Sequence, residues 1–251
     1  MRTILCALLP LLLTTAFLSG CGGEDAPEFP EQTPRLPDLA NAGTASGTIR
    51  FEGTPPKRFE LGMSSDAWCN GKSSAPALSE EVVVSEGALR DVLVYVEKGL
   101  EGFVWPWVQE PAVMANRNCR YEPHVLAVRA RQPLRFLSAD GTAHNVNTSA
   151  SAQGSNFTLQ TAGHEKVLQF KEPELSIAAR CNLHPWMLGW IHVLPHPFFV
   201  VTAEDGRFTL PPLPPGRYTL AALHPILGTQ RQEMEVAAKG AATLDFTFKA
   251  R

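Results

Sequence analysis

Cys181-Asn182-Leu183-His184-Pro185-Trp186-Met187 is the stretch on which the reading of this chain turns. It places a thiol, an imidazole and a thioether in one short loop. The spacing Cys-x2-His-x2-Met lets a single turn aim all three at one ion. Copper cycling between Cu(I) and Cu(II) wants a soft thiolate and imidazole nitrogens. Two His and one Cys in a plane, with a weak axial Met, suit both oxidation states and keep reorganisation small. A buried Cys can also be ordinary apolar core, but Cys, His and Met beside Pro185 make an unusual core segment. The remaining imidazole must come from a distant strand. His144, in Ala143-His144-Asn145-Val146-Asn147, follows the Ala139-Asp140-Gly141 turn and opens a β stretch, which places it well for that task.

Outward from these two runs the pattern is of short strands and turns. Thr48-Ile49-Arg50-Phe51-Glu52 alternates and ends at Gly53, and Leu89 to Glu97 alternates with Val92, Val94 and Val96 on one face. Further strands are expected at His124 to Arg129, Leu134 to Leu137, Lys166 to Phe170, Leu175 to Ala179, Trp190 to Leu194 and Phe198 to Thr202. The tail continues the pattern in Arg207 to Leu210, Tyr218 to Ala222, Glu233 to Val236 and Thr243 to Phe248. Glu204-Asp205-Gly206 and Pro214-Pro215-Gly216 supply turns. No segment carries a long helical period, so an all-β sandwich or barrel is expected.

From Tyr121 to Leu194 the chain resembles the cupredoxins, and amicyanin most closely. The likeness rests on Pro123-His124-Val125, Pro133-Leu134-Arg135-Phe136, His144-Asn145-Val146, Ala162-Gly163 and the ligand loop closing in Leu188-Gly189-Trp190-Ile191. It implies a Greek-key β-sandwich with one type 1 copper held by His144, Cys181, His184 and Met187. It implies that Asn145 ties the two ligand loops together by a hydrogen bond. It also implies that the imidazole edge of His184 reaches the surface, with Pro185, Trp186 and Leu188 forming an apolar electron-exit patch.

A second resemblance lies downstream. Val201-Thr202-Ala203-Glu204-Asp205-Gly206-Arg207-Phe208, then Leu213-Pro214-Pro215-Gly216-Arg217-Tyr218-Thr219-Leu220, resembles the carboxypeptidase regulatory-like domain, a small transthyretin-like β-sandwich. Its opening strands would be Ser46 to Phe51 and Leu89 to Glu97, which lie before the copper segment. The cupredoxin is therefore either inserted into this sandwich or flanked by it, with Leu89 to Glu97 as its own first strand in the second case. The expected divisions are 1–20 signal peptide, 21–44 Pro-rich tether, 45–117 N-terminal β segment, 118–196 cupredoxin and 197–251 regulatory-like segment.

The N-terminus sets the compartment. Arg2 precedes the apolar stretch Ile4 to Leu18, which Pro10 breaks and which is too short to span a bilayer comfortably. Leu18-Ser19-Gly20-Cys21 resembles a bacterial lipobox, so Cys21 is expected to carry lipid and the protein to lie outside the inner membrane, on the outer membrane facing the periplasm or cell surface. Of the five cysteines, Cys6 leaves with the signal peptide and Cys181 belongs to the ligand loop. Cys69 and Cys119 remain as a natural disulfide pair, worth roughly 4 kcal/mol in the loop-entropy model.

The formal charge of −3 shows no basic stripe, which argues against nucleic acid. His124, His196 and His224 show no zinc-ligand spacing, yet leave a second metal open. No His-x-His pair or Cys-His neighbour could bridge to further copper centres, so an enzyme is not expected. The expected role is single-electron transfer between a redox donor and a redox acceptor, by a monomer. The alternative is periplasmic copper binding or delivery, which the small number of Met residues, five, disfavours.

Overall fold

The computed structural model describes residues 35–71 and 75–250. The expected signal peptide, Cys21 and most of the tether lie outside these residues. Among the described residues nearly every element is a strand, and the strands build two β-sandwiches, as the all-β expectation requires.

The first sandwich is assembled from both ends of the chain. Thr44–Glu52 pairs antiparallel with Arg207–Thr209 and Ala88–Leu89, and parallel with Ala241–Thr243 and Phe246–Lys249. Against it lies the sheet Phe199–Val201, Leu93–Lys98, Gly216–His224 and Gly228–Val236, in that order. The apolar run Leu93-Val94-Tyr95-Val96 is buried on both faces. Val94 and Val96 point into the core with Ile49, Leu220 and Phe246. Leu93 and Tyr95 point the other way, against Leu194 and Leu223. Alternation delivers successive residues to opposite faces, so an unbroken apolar run marks a strand covered on both sides.

The tail strand expected over Thr243 to Phe248 breaks at Leu244–Asp245. There the Asp245 carboxylate accepts the Thr48 backbone N–H at 2.8 Å and the Thr48 hydroxyl at 2.7 Å, standing in for a ladder bond. Gly47 permits this approach: a Cβ there would lie 1.7 Å from the Leu244 carbonyl oxygen.

The second sandwich occupies the middle of the chain. One sheet runs Ser155–Leu159, His144–Thr148, Glu174–Arg180, Leu188–Leu194, Val125–Arg129. The other runs Glu165–Leu168, Leu134–Ser138, Ala112–Arg117, Arg120–Glu122. Each contains one parallel pair, Leu188–Leu194 with Val125–Arg129 and Ala112–Arg117 with Leu134–Ser138, so the chain crosses between sheets rather than folding as hairpins alone. Because Leu93–Lys98 pairs with Phe199–Val201 and Gly216–His224, it belongs to the first sandwich, and the second is inserted between Lys98 and Phe199.

Three boundaries differ from expectation. Ala112–Arg117 lies in the inserted sandwich, so the division falls before residue 112 and not at 117; Ala-Val-Met-Ala-Asn-Arg alternates too weakly to announce a strand, and its parallel partner is far along the chain. Residues 35–44 are bound rather than free: Arg35 donates its N–H to the Gly102 carbonyl, and Gly43 exchanges both backbone bonds with Leu213. Residues 53–71 and 75–83 make an excursion from the first sandwich to the second. They carry a 3-10 turn, Met63–Ser65, and a one-turn helix, Ala67–Asn70, whose Met63 and Cys69 join the core of the inserted sandwich.

Candidate metal centre

The ligand loop is closed by its own backbone. The Met187 N–H donates to the His184 carbonyl at 2.9 Å, and the Cys181 N–H to the Met187 carbonyl at 3.4 Å. The strands Glu174–Arg180 and Leu188–Leu194, paired as far as Arg180 and Leu188, carry the loop between them. His144 is the first residue of the neighbouring strand, which pairs with Glu174–Arg180. Cys181, His184 and Met187 are thus delivered by one loop and His144 by a strand beside it. All four side chains are buried.

The donor atoms converge. His144 Nδ1 lies 3.0 Å from His184 Nδ1, and Cys181 Sγ lies 3.6 Å from the same His184 nitrogen. Each ring is oriented from its far side. His144 Nε2 donates to Asp140 Oδ2 at 2.8 Å, and His184 Nε2 donates to Asp66 Oδ2 at 3.2 Å. A carboxylate can only accept, so each pair fixes the tautomer that leaves the Nδ1 lone pair bare. Two lone pairs facing at 3.0 Å repel unless a cation lies between them. The donor set therefore fits a cation, and two nitrogens with one soft sulfur fit copper.

Electrostatics agree with this arrangement. Burial pushes the Cys181 thiol up, but His144 and the backbone N–H groups of Asn145, Leu183 and His184 outweigh it and hold the thiol below its ordinary value. Burial likewise opposes a charge on His144, yet Asp140 and Cys181 raise it to about 9, so without a metal ion a proton on Nδ1 takes the place between the two imidazoles that a cation would fill. The Asn145 N–H donates to Cys181 Sγ at 3.2 Å. The Asn145 side chain bonds Asn156 and the Phe157 carbonyl and accepts the Asn182 N–H at 3.4 Å, which links the His144 strand to the ligand loop.

The surroundings of His184 depart from expectation. Its edge is not at the surface: the residue is 3 % exposed. The excursion covers it. Asp66 caps the one-turn helix by accepting the Cys69 N–H with one oxygen and holds His184 and Thr142 with the other. Cys69 is disulfide-bonded to Cys119, and Cys69 Sγ lies 4.0 Å from His184 Nε2. Gly141 leaves room for Trp68 above this layer, since a Cβ there would approach the Trp68 Nε1 to 2.5 Å. In the expected exit patch Pro185 is exposed while Trp186 and Leu188 are half-buried. Trp186 turns inward, its ring 5.0 Å from that of His184 and its Nε1 donating to the Cys119 carbonyl at 3.1 Å. Leu183, 54 % exposed, is the large apolar side chain that the loop does present.

Sequence reasoning missed Asp66 and Asp140. Asp140 was legible only as part of a turn. In the structure it is buried and accepts the N–H groups of Asn118 and Cys119 at 2.8 and 2.9 Å as well as that of His144. Asp66 carried no signal, for it stands 118 residues from His184. His196 and His224 are structural. The Nδ1 of His196 accepts the Phe198 N–H, and that of His224 accepts those of Ile226 and Leu227. Neither they nor His124 belong to the three clusters of converging donors among the described residues.

Residues 195–249 match the family model of the carboxypeptidase regulatory-like domain. The matched stretch supplies the returning strands of the first sandwich. No curated protein matches the chain. Similar solved structures include copper proteins. A Cu(I) amicyanin variant is 20 % identical over 34 % of this chain and 82 % of its own, with a TM-score of 0.30. A purple cupredoxin from Nitrosopumilus maritimus is 18 % identical over 33 % of this chain and 99 % of its own, with a TM-score of 0.29. A copper-containing nitrite reductase from Thermus scotoductus is 19 % identical over 40 % of this chain and 25 % of its own, with a TM-score of 0.30.

Proposed function

We propose that this chain is a type 1 copper protein that carries single electrons between a redox donor and a redox acceptor. It is not an enzyme. It works as a monomer outside the cytoplasm, anchored by lipid on Cys21, on the outer membrane facing the periplasm or cell surface. The observation that carries this reading is the meeting of His144 Nδ1, His184 Nδ1 and Cys181 Sγ in one buried pocket, all within 4.8 Å of one another. His144, Cys181 and His184 would hold copper, with Met187 as the weak axial fourth. The bound ion would supply a one-electron Cu(II)/Cu(I) couple.

The residues of this chain do the rest. Asp140 and Asp66 hold both imidazoles in the tautomer that offers Nδ1. The Asn145 N–H stabilises negative charge on Cys181 Sγ. Donors that are all buried, with both rings held from their far sides, would rearrange little when an electron arrives. The same closure favours electron carriage over copper delivery, because a donor set under Asp66 and a disulfide is poorly placed to hand its ion on. The electron leaves through the loop residues beside His184, with Trp186 in ring contact, Leu188 half-buried and Pro185 exposed.

The test is the visible spectrum of the purified protein with Cu(II). Thiolate-to-copper charge transfer should colour it intensely blue or green, a mild reductant should bleach it reversibly, and Cys181→Ser should abolish it. A colourless Cu(II) complex of the folded protein would overturn the proposal.

A further inference from the structure

The outer nitrogens of the two central imidazoles face one disulfide. His184 Nε2 lies 4.0 Å from Cys69 Sγ, and Asp66, Cys69 and His184 form one cluster of donors within 4.8 Å. Cys119, Asp140 and His144 form another within the same distance. The Cys69–Cys119 bond joins the two clusters. Its position is built from both sides. On one side Asp66 caps the helix that carries Cys69. On the other, Asn118 and Cys119 both adopt left-handed φ, 51° and 55°, and both donate to the buried Asp140. Two successive non-glycine residues in that region cost backbone energy. Here Asp140 holds both of them.

We propose that Cys69 and Cys119, once reduced, form a second site that takes cuprous ion, beside the first and distinct from it. While the disulfide stands, neither sulfur is a ligand. A dithiol reductant breaks it: each sulfur takes one electron and one proton, and the dithiol, having given up two of each, closes to its own disulfide. Cu(I) then displaces the two protons to solvent and is held between two thiolates, the donors it favours. The Cα atoms stand 5.7 Å apart, close enough for one ion to bridge the sulfurs with a small movement of the helix. Ala67 and Asn70 on that helix are exposed, so Cys69 lies one layer beneath solvent. The chain thereby senses its surroundings: it holds one copper ion where disulfides persist and captures a second where they do not. This site uses none of the inner donors, so it stands or falls separately from the function proposed above.

The experiment is an anaerobic Cu(I) titration of the full chain against bicinchoninate. It is run before and after treatment with dithiothreitol, which is removed by gel filtration. Wild type should bind one equivalent when oxidised and two when reduced. Cys181→Ser should still gain one on reduction. The double variant Cys69→Ser, Cys119→Ser should gain none, and alkylation of the reduced Cys181→Ser variant with iodoacetamide should block its gain, since no thiol of the first site is left there to react. Circular dichroism confirms that each form is folded. Equal binding by oxidised and reduced wild type would overturn the proposal, as would a gain that survives alkylation. An oxidised protein that binds no copper but gains one equivalent on reduction would sustain the second site and defeat the copper reading of the first.

Discussion

The metal centre and the first sandwich both bury histidines, and the difference between them lies at one nitrogen. His196 uses Nε2 to donate to the Val96 carbonyl at 2.7 Å, much as His144 uses Nε2 to donate to Asp140. At Nδ1 they part. His196 meets a backbone N–H there, as do His224 and also His192, which accepts from Ser176. His144 and His184 meet each other. Burial of an imidazole is therefore no sign of a site. An inward Nδ1 that faces a second imidazole nitrogen instead of a backbone N–H is. The charge follows: burial pushes His192, His196 and His224 down to about 4, while Asp140 and Cys181 overcome burial and raise His144.

Acid should break the comparison on the structural side first, and with the largest effect. Above the ordinary value of 6.5 these three histidines are neutral in both folded and unfolded chains. Below it the unfolded chain takes protons that the fold refuses, so stability falls with falling pH until about 4. Each should cost about 3 kcal/mol over that window, at about 1.4 kcal/mol per pH unit. Urea midpoints of metal-free protein between neutral pH and the acid end measure this, and a flat profile would show that burial is not holding these rings neutral.

The two carboxylates sharpen the centre itself, because one is sealed and the other lies near the edge. The Asp140 side chain is 2 % exposed and that of Asp66 is 21 % exposed. Asp140→Ala leaves two buried donors, of Cys119 and His144, and the more exposed Asn118 N–H without an acceptor, and at about 1 kcal/mol or more for each buried one the loss should reach about 2 kcal/mol or more in urea denaturation. Asp66→Ala removes a helix cap and a partner that water can replace, so about 1 kcal/mol is expected by the same measurement. Equal losses would mean that the two imidazoles are held alike. The smallest effect on the fold belongs to Leu188→Lys. It should leave stability and the copper spectrum unchanged while slowing electron self-exchange several-fold in stopped-flow mixing; unchanged self-exchange would move the exit away from the loop.

The inner face of the centre was legible because its donors sit in one short motif and at a strand start that a turn announces. The apolar alternation of Thr48 to Glu52 likewise reports a strand with a buried face, whereas the single strand expected over Leu89 to Glu97 is divided at 90–92, Ala88–Leu89 pairing in one sheet and Leu93–Lys98 in the other. The outer face was not legible. Asp66 acts from an excursion with no period of its own, and Ala112–Arg117 finds its register only against a partner strand. The covering of His184 followed from neither spacing nor composition. It depends on where a loop of the first sandwich lands on the second, and no local pattern encodes that.

The insertion also imposes a timetable. A chain that emerges N-terminus first has every strand of the inner sandwich, the covering helix and both disulfide cysteines in hand by Leu194. Thr44–Glu52 is made among the earliest and must wait for the final strands, Ala241–Thr243 and Phe246–Lys249, before its parallel partners exist. The centre can close while its host is still half a sheet. Residues 241–249 then complete the fold around a finished interior, and a chain cut short before them would lose the frame before it lost the site.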